Sequence, residues 1–323
     1  MRVVVAHALG PPETFQIETR PTPEPGPGQV RVEIRTAGLS FVDVLVATGG
    51  YQVKPPTPFT PGSECAGVVD ALGEGVTGLA VGDRVAVSSF GGALAEAAVV
   101  PARACTPIPD LLSFDEAAVF RLCYATAYYG LVQRGRLAAG ETVLVLGAGG
   151  AVGAASVQVA KALGARVIGS ASTGAKRALA LEMGADAVIE TGAADWRDQI
   201  KALTGGRGVD VVVDPVGGEA SEPAFRSLAW KGRHLVIGFV AGIPKIPANI
   251  ALLKGGDLVG VDIRQFGQKE PDVMADNAAR LYEMAAAGTL RPKIAEVYPL
   301  DRYAEAMAAV FGGQVAGRIV VRP

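Results

Sequence analysis

The chain has 323 residues, enough for two domains with their own cores at about 150 residues per domain. Half of the residues are hydrophobic, 19% are charged, and 30 Lys+Arg against 32 Asp+Glu leave a net charge of −2. This balance excludes general disorder and a broadly basic nucleic-acid-binding surface, while three cysteines without CxxC spacing fit a reducing compartment.

Nothing in the sequence indicates export or insertion into a membrane. The N-terminus lacks the apolar core and cleavage site of a secretory signal, so we expect a cytoplasmic protein. An uncharged stretch from Thr142 to Ala160 is long enough to span a bilayer. Its central cluster of glycines favours a buried strand, a turn and a helix instead, so no membrane association is expected.

The first 118 residues predict short strands separated by Gly and Pro. Residues Gln29–Arg35 alternate polar and apolar side chains, as is typical of a half-exposed strand. Ser113 with Glu116 three residues later forms a capping-box pattern and predicts a helical stretch to about Val132. We expect this part of the chain to form an irregular barrel.

From Glu141 onward strands and helices alternate. The predicted strands are Thr142–Leu146, Arg166–Ser170, Ala187–Glu190, Val209–Asp214, His234–Phe239 and Leu258–Ile263, and the helices are Val152–Leu163, Lys176–Met183 and Trp196–Leu203. This order predicts a parallel sheet covered by helices, with the six strands of a complete dinucleotide-binding fold. A helix near Val273–Ala287 and a strand at Gly317–Val321 follow, and this tail is expected to return to the first domain.

The most specific local signal is a glycine-rich turn between a strand and a helix. The apolar run Leu144–Leu146 leads into Gly147-Ala148-Gly149-Gly150-Ala151-Val152-Gly153. Glycines there permit a tight turn and a close approach of backbone to a pyrophosphate, while the N–H groups of the helix N-terminus face the anion. A glycine-rich turn of any α/β protein is the simpler interpretation, but the strand–helix alternation downstream favours the dinucleotide site.

The end of the second strand predicts which dinucleotide binds. An acidic residue there would grip a ribose 2′-hydroxyl, but the sequence offers Ser170–Arg177, with several hydroxyls and the cations Lys176 and Arg177. A cation attracts a 2′-phosphate, so NADPH is favoured over NADH. The alternative is that both cations are ordinary solvated helix residues.

With these residues in place, the whole chain resembles the zinc-free NADPH:quinone oxidoreductase (zeta-crystallin-like) branch of the medium-chain dehydrogenase/reductase superfamily. The motifs that carry the resemblance, in family order, are Gly49–Tyr51, Pro61–Glu64, Val81–Val85, Thr126–Tyr128, Gly147–Gly153, Asp214–Gly218 and Gly238-Phe239. The resemblance implies an α/β protein in which a GroES-like catalytic domain, residues 1–121 and 264–323, is interrupted by a six-stranded Rossmann NADPH-binding domain, residues 122–263. It also implies a homodimer.

The resemblance further implies roles for individual residues. The cofactor-binding positions are Thr126, Gly147, Gly150, Ala151, Val152, Gly153, Ser172, Lys176, Gly238, Phe239 and Val240. Tyr51 is expected over the substrate, with its phenol at a developing oxyanion. Ser40 replaces an Asn that is common in this branch and is the second candidate catalytic residue. Each of these residues also has an ordinary packing role as its alternative.

The zinc ligands of the alcohol-oxidising relatives are missing. Ser40 stands at the first cysteine position and Ser63-Glu64 at the His-Glu pair, while Cys123 lies close to the third ligand position. One thiolate cannot build a tetrahedral site, so no metal is expected. The cysteines are interpreted as small buried hydrophobes, and His7 and His234 as core residues satisfied by neighbouring backbone.

Three functions are compatible with these residues. The first is zinc-independent transfer of hydride from NADPH to a quinone. The second is reduction of an enone or enoyl-thioester double bond, for which Tyr51 or Tyr128 would supply the proton. The third is a non-catalytic NADPH-binding protein. Nucleic-acid binding finds no support in the net charge or in any basic run.

Overall fold

The structure, a computed structural model, describes residues 1–323. Its strands are β1 Arg2–Val5, β2 Gln16–Thr19, β3 Gln29–Leu39, β4 Glu64–Leu72, β5 Arg84–Ser88, β6 Ala97–Pro101, β7 Cys105–Pro107, β8 Thr142–Leu146, β9 Arg166–Ala171, β10 Ala187–Glu190, β11 Val209–Asp214, β12 Leu228–Val236, β13 Asp257–Gly260, β14 Ile294–Pro299 and β15 Arg318–Arg322. Its α-helices are α1 Phe41–Thr48, α2 Phe114–Ala117, α3 Arg121–Tyr128, α4 Ala151–Ala162, α5 Gly174–Glu182, α6 Trp196–Leu203, α7 Ser221–Arg226, α8 Ala248–Lys254, α9 Ile263–Lys269, α10 Pro271–Ala286 and α11 Tyr303–Gly312. No helix is both long and apolar enough to cross a bilayer.

The chain divides into two compact units. The first comprises Met1–Leu122 and Arg291–Pro323, and the second Cys123–Leu290. The first unit holds a seven-stranded mixed sheet of order β14-β15-β3-β4-β5-β7, in which β6 also pairs with β3, and a small β1–β2 sheet. The tail therefore returns to the first domain, where it forms β14, α11 and β15.

The core of the first unit forms where the alternating strands turn their apolar side chains inward. Val30, Val32 and Ile34 on β3 are buried, while the intervening Arg31 and Glu33 are not. They pack in one cluster with Leu94 and with Met307 of α11. The period of two in the sequence thus selects which face of β3 is covered.

The second unit is a parallel sheet of order β10-β9-β8-β11-β12-β13. All five residues of β8 are buried, as a central strand covered by helices on both faces requires. This is the strand order of a complete dinucleotide-binding fold, and it confirms the predicted six-stranded Rossmann sheet. The predicted strands Thr142–Leu146, Ala187–Glu190 and Val209–Asp214 coincide with β8, β10 and β11.

The helical stretch predicted from Ser113 to about Val132 is interrupted. The capping box is present, since Ser113 Oγ accepts the N–H of Glu116 and the Glu116 carboxylate accepts the N–H of Ser113. However, α2 ends at Ala117, and the N–H of Leu122 is donated to a carboxylate oxygen of Glu64. A π-helical segment, Tyr129–Arg134, follows α3.

The chain returns from the second unit to the first at a later residue than the predicted boundary at residue 264. Residues 264–290 belong to the second unit, because α9 and α10 pack against the π-helical segment. Phe266 stacks on Tyr129 with ring centroids 3.9 Å apart, and the Gln133 side chain donates to Asn277 Oδ1 at 2.8 Å. These contacts join the two helices to the Rossmann sheet before the chain returns.

Candidate functional site

The turn after β8 is built from glycines that leave no room for a side chain. A Cβ at Gly153 would lie 2.0 Å from the carbonyl oxygen of Gly147, and one at Gly149 would lie 2.5 Å from Cβ of Lys176. Gly147 itself has φ +60°. The backbone of the turn is therefore closely packed and free of side chains, so a pyrophosphate can approach it directly.

Helix α4 begins directly at this turn. Gly150 is its N-cap in extended conformation, and no side chain caps the helix. The first N–H groups of a helix have no carbonyl partner within it, so those of Ala151, Val152 and Gly153 are available to an anion. The positive end of the helix dipole also attracts an anion there. The first turn also carries no acidic residue that would repel a phosphate. The residues at Gly147–Gly153 thus fit the phosphates of a dinucleotide.

The end of β9 and the start of α5 form one side of this site. Ser172 is exposed after β9, and the Thr173 hydroxyl caps α5 by accepting the N–H of Lys176 at 3.3 Å. The two predicted cations differ. Arg177 donates to the Ala171 carbonyl at 3.2 Å and pairs with Glu190 at 3.3 Å. Lys176 is half-buried against Gly149, and burial lowers the pKa of its amine.

The remaining positions predicted to bind the cofactor lie on two other elements of the second unit. Gly238, Phe239 and Val240 follow β12, and both Phe239 and Val240 are about half-exposed. Thr126 is buried on α3. The segment after β12 touches the loop after β11, since a Cβ at Gly238 would lie 2.9 Å from the carbonyl oxygen of Pro215.

In the first unit, Ser40 and Ser63 share one carboxylate. Ser40 is the N-cap of α1, and its hydroxyl and N–H donate to Asp43 Oδ2 at 2.6 Å and 2.8 Å. Ser63 Oγ donates to Asp43 Oδ1 at 2.7 Å. Asp43 is buried, so the three donors compensate for its lost hydration. Both hydroxyls donate their protons to Asp43, and Ser40 Oγ also accepts the N–H of Asp43 at 3.3 Å.

A small cavity adjoins this cluster. Its polar members are Asp43 and Ser63, and its apolar lining includes Val42, Val46, Phe59 and Phe90. At about 30 Å³, this cavity has room for little more than water. Tyr51 is half-buried after α1, where its N–H donates to the Leu45 carbonyl at 3.1 Å.

Glu64 is buried at the start of β4. Its carboxylate accepts the N–H of Leu122 at 2.8 Å. Burial raises the pKa of this carboxyl to about 7, against the opposing charge of Arg318. Glu64 is therefore about half protonated at neutral pH, inside the first unit.

The positions of the zinc ligands hold no metal-binding group of residues. Ser40 and Ser63 are engaged with Asp43, Cys123 is buried on α3, and the chain contains no group of three or more His, Cys, Asp or Glu that would bind a metal ion. Burial raises the pKa of Cys65 to about 12 and that of Cys105 to about 11, so both are thiols at neutral pH.

The prediction for the histidines is right about the burial of His234 in a strand, but it is wrong about the burial of His7 and about the partners of both. His7 is exposed and its Nε2 lies 2.7 Å from Glu18, while His234 is fully buried and its Nε2 lies 2.9 Å from Asp214. Both partners are carboxylates rather than backbone groups. The sequence-based predictions also missed the pairing of Ser63 with Asp43. The Ser-x-x-Asp spacing of Ser40 and Asp43, a capping-box pattern, would have indicated the first half of that cluster.

Comparison with known proteins covers both units. A zinc-binding dehydrogenase family model matches residues 151–280, and an alcohol dehydrogenase GroES-like domain model matches residues 26–110. The quinone oxidoreductase-like protein 2 homolog of Nematostella vectensis is 38% identical over 99% of this chain and 88% of its own length. Human quinone oxidoreductase is 31% identical over 99% of this chain and 97% of its own. The crystal structure of Escherichia coli quinone oxidoreductase complexed with NADPH superposes with a TM-score of 0.90 at 28% identity, over 100% of this chain and 100% of that protein.

Proposed function

Because the chain belongs to the quinone oxidoreductase family of medium-chain dehydrogenases/reductases, we propose that it is an NADPH-dependent oxidoreductase that passes a hydride to a quinone and requires no zinc. The observation that carries the proposal is the bare glycine turn at Gly147–Gly153 with Lys176 packed against it. A phosphorylated dinucleotide is the ligand that such a turn and such a cation would hold together.

Residues of the second unit hold the cofactor in this proposal. The N–H groups of Ala151 and Val152 bind its pyrophosphate, and Ser172 and Lys176 bind its 2′-phosphate. Thr126 and the segment Gly238–Val240 contact the nicotinamide end. When bound, NADPH supplies the hydride. The exposed Phe239 and Val240 then exclude water from that end, which favours hydride transfer over side reactions.

Residues of the first unit receive the acceptor. Tyr51 donates a hydrogen bond to the acceptor oxygen, where negative charge develops. Ser40, held by Asp43, is a second polar contact for the acceptor. A quinone suits these groups because it accepts hydride without a Lewis acid, whereas oxidation of an alcohol at neutral pH needs a metal ion or a strong base. Serines at the two zinc-ligand positions support the metal-independent reaction.

A panel of acceptors tests this function. The purified protein is treated with a chelator, its residual zinc is measured, and oxidation of NADPH is followed by absorbance with quinones, enones and enoyl thioesters. We expect turnover of quinones that is unchanged by removal of zinc. Turnover confined to enones or enoyl thioesters would assign the protein to double-bond reduction. Tight NADPH binding without turnover of any acceptor would make it a non-catalytic binding protein.

The same family membership leads us to propose a homodimer formed through the second unit. Strand β13 ends the parallel sheet, and its outer edge has no partner strand within the chain. Four large apolar side chains on or beside this edge are more than half exposed, and we call them the edge patch: Trp230, Leu252, Leu253 and Leu258. An exposed apolar strand edge favours pairing with a second copy across a two-fold axis.

A further inference from the structure

Asp214, at the end of β11, is a buried carboxylate that collects four hydrogen bonds. The N–H groups of Val216 and Gly217 donate to it at 3.0 Å and 2.8 Å, Ser221 Oγ at 2.5 Å, and His234 Nε2 at 2.9 Å. Its exposure is 0%. Although burial opposes ionisation, the hydrogen bonds from His234, Gly217 and Ser221 hold the pKa of Asp214 below its ordinary value. The group is a fully partnered anion inside the Rossmann unit.

The three side chains do not form a nucleophilic triad. Ser221 and His234 both donate to the same carboxylate instead of to one another, and all three are fully buried. Because the acceptor is a carboxylate, His234 Nε2 carries a proton, and its Nδ1 has no partner. The imidazole thus makes one hydrogen bond, to Asp214, and its ring packs against Phe225 with ring centroids 5.8 Å apart.

The two N–H donors belong to a loop that only glycine can form. Gly217 has φ +71° and ψ −151°, and Gly218 has φ +61°. A Cβ at Gly217 would lie 2.5 Å from the Gly242 carbonyl, and one at Gly218 would lie 2.5 Å from the Ala241 carbonyl. Gly218 N donates to Gly242 at 2.7 Å, and Ala241 N donates to Val216 at 2.9 Å. The loop after β11 and the segment after β12 therefore hold each other in one conformation.

The opposite side of this loop touches the phosphate turn. A Cβ at Gly147 would lie 2.8 Å from a methyl group of Val216. The loop after β11 thus packs between the turn at Gly147–Gly153 and the segment Gly238–Gly242. These are the elements that the proposed function assigns to the two ends of the cofactor.

We propose that Asp214, held by His234 and Ser221, is a positioning residue that sets the distance between the phosphate turn and the nicotinamide-side segment. The inference rests on the proposed function, because it concerns the same cofactor site. Loss of a donor to Asp214 lets Val216–Gly218 move, and both neighbouring segments then lose a common support. NADPH affinity should fall although no residue that touches NADPH has been changed.

Helix α7 offers a matched pair of variants. Ser221 and Ser227 are both buried and lie at its two ends, but Ser227 Oγ donates to the Pro223 carbonyl at 2.9 Å and does not reach Asp214. The experiment measures the dissociation constant of NADPH by calorimetry and the melting temperature for wild type, Ser221→Ala and Ser227→Ala. His234→Leu and His234→Gln are added, because glutamine restores an N–H donor toward Asp214 and leucine does not.

We expect Ser221→Ala and His234→Leu to raise the NADPH dissociation constant about fivefold to tenfold, because only a minor fraction of the molecules then keeps the two segments in the binding arrangement. Ser227→Ala should change it less than about twofold at a similar loss of melting temperature. His234→Gln should recover most of the affinity. If His234→Leu fails to fold, the comparison of Ser221→Ala with Ser227→Ala still tests the proposal.

Equal effects of Ser221→Ala and Ser227→Ala, or dissociation constants that simply follow the melting temperatures across the variants, would overturn the positioning role. Unchanged affinity in Ser221→Ala would do so as well. Failure of the wild-type protein to bind NADPH would instead overturn the proposed function, so the two failures are distinguishable.

Discussion

Glu64 is a residue whose acidity is set by its surroundings. Burial raises the pKa of Glu64 from 4.5 to about 7. The folded chain therefore holds this proton more tightly than the unfolded chain does. The neutral carboxyl stabilises the fold at acid pH, and this contribution is lost as the pH rises from 4.5 through about 7.

Glu64→Gln removes this titration and keeps an oxygen to accept the N–H of Leu122. Relative to wild type, we expect the free energy of unfolding of the variant to increase by about 3 kcal/mol between acid and slightly alkaline pH, since each pKa unit corresponds to about 1.4 kcal/mol. Chemical denaturation of both proteins across this pH range measures the difference. If the difference in unfolding free energy between the variant and wild type stays constant with pH, the raised pKa is contradicted.

Lys176 determines the preference for NADPH in our proposal. Lys176→Glu should weaken NADPH at least about tenfold and leave NADH within about twofold, because only NADPH places a phosphate beside the new carboxylate. In wild type, the preference for NADPH should fade on the alkaline side at a pH below 10.5, because burial lowers the pKa of Lys176 from that value. Titration of both coenzymes against pH checks each expectation.

Two variants control the Lys176 experiment. Lys176→Arg stays charged at every accessible pH, so its preference should not fade on the alkaline side. Lys201→Glu makes the same charge change on α6, where Lys201 pairs with Asp198 at 3.1 Å. An equal loss of NADPH and NADH in Lys176→Glu, or an equal loss in Lys201→Glu, would remove Lys176 from the phosphate site.

At the residue scale the sequence indicates which residue types stand at a site but not which of them meet. The glycine turn can be predicted because it lies within one stretch of chain between β8 and α4, whereas Lys176 reaches it only because β8 and β9 are paired in the sheet. Asp214 and His234 are 20 residues apart and meet only because β11 and β12 are paired in the sheet. No local pattern in the sequence encodes that register.

Among the elements, helix α4 is the one whose start binds the pyrophosphate in our proposal. A Cβ at Gly153 would lie 2.0 Å from the Gly147 carbonyl oxygen, so Gly153→Ala must push α4 away from the turn. We expect a lower melting temperature and an NADPH dissociation constant raised by at least about tenfold, because the N–H groups of the first turn no longer face the phosphates. Thermal denaturation measures the first quantity, and calorimetry with NADPH measures the second.

Gly312, the last residue of α11, is the matched helical glycine, since a Cβ there has nothing within 4 Å. Gly312→Ala should leave NADPH affinity unchanged and the melting temperature unchanged or slightly higher, because alanine favours the helix. Equal behaviour of the two alanine variants would show that the close approach of Gly153 does not matter.

Elements with a clear period or a continuous apolar run are predicted well, and those shaped by capping are not. Strand β8 matches its prediction because every residue is apolar or small and the following glycine ends it. The predicted strand Leu258–Ile263 ends at Gly260 instead, because Asp262 caps α9 by accepting the N–H of Gln265 at 3.0 Å. An Asp inside an apolar run is a helix start signal that the apolar run itself conceals.

At the scale of the whole molecule, the return of the chain to the first unit follows from β15. Its Val320 pairs with Gly38 of β3, so the C-terminal strand completes a sheet begun by the first 122 residues. The sequence predicts this return because the tail is too short for a core of its own. It does not predict the crossing point, which depends on packing of Phe266 against Tyr129.

The proposed dimer depends on the free edge of β13. Leu258 lies on this strand and is 55% exposed, and Trp230 on the neighbouring strand is 68% exposed. Leu258→Lys places a charge on the edge and should convert the dimer to a monomer, since a buried unpaired charge at an interface is strongly unfavourable. Analytical ultracentrifugation measures the change.

Leu181→Lys adds the same charge at a 49% exposed leucine on α5 and should leave the dimer intact. A wild-type protein that sediments as a monomer at every concentration, or a Leu258→Lys variant that stays dimeric, would mean that the edge patch does not bind a second copy.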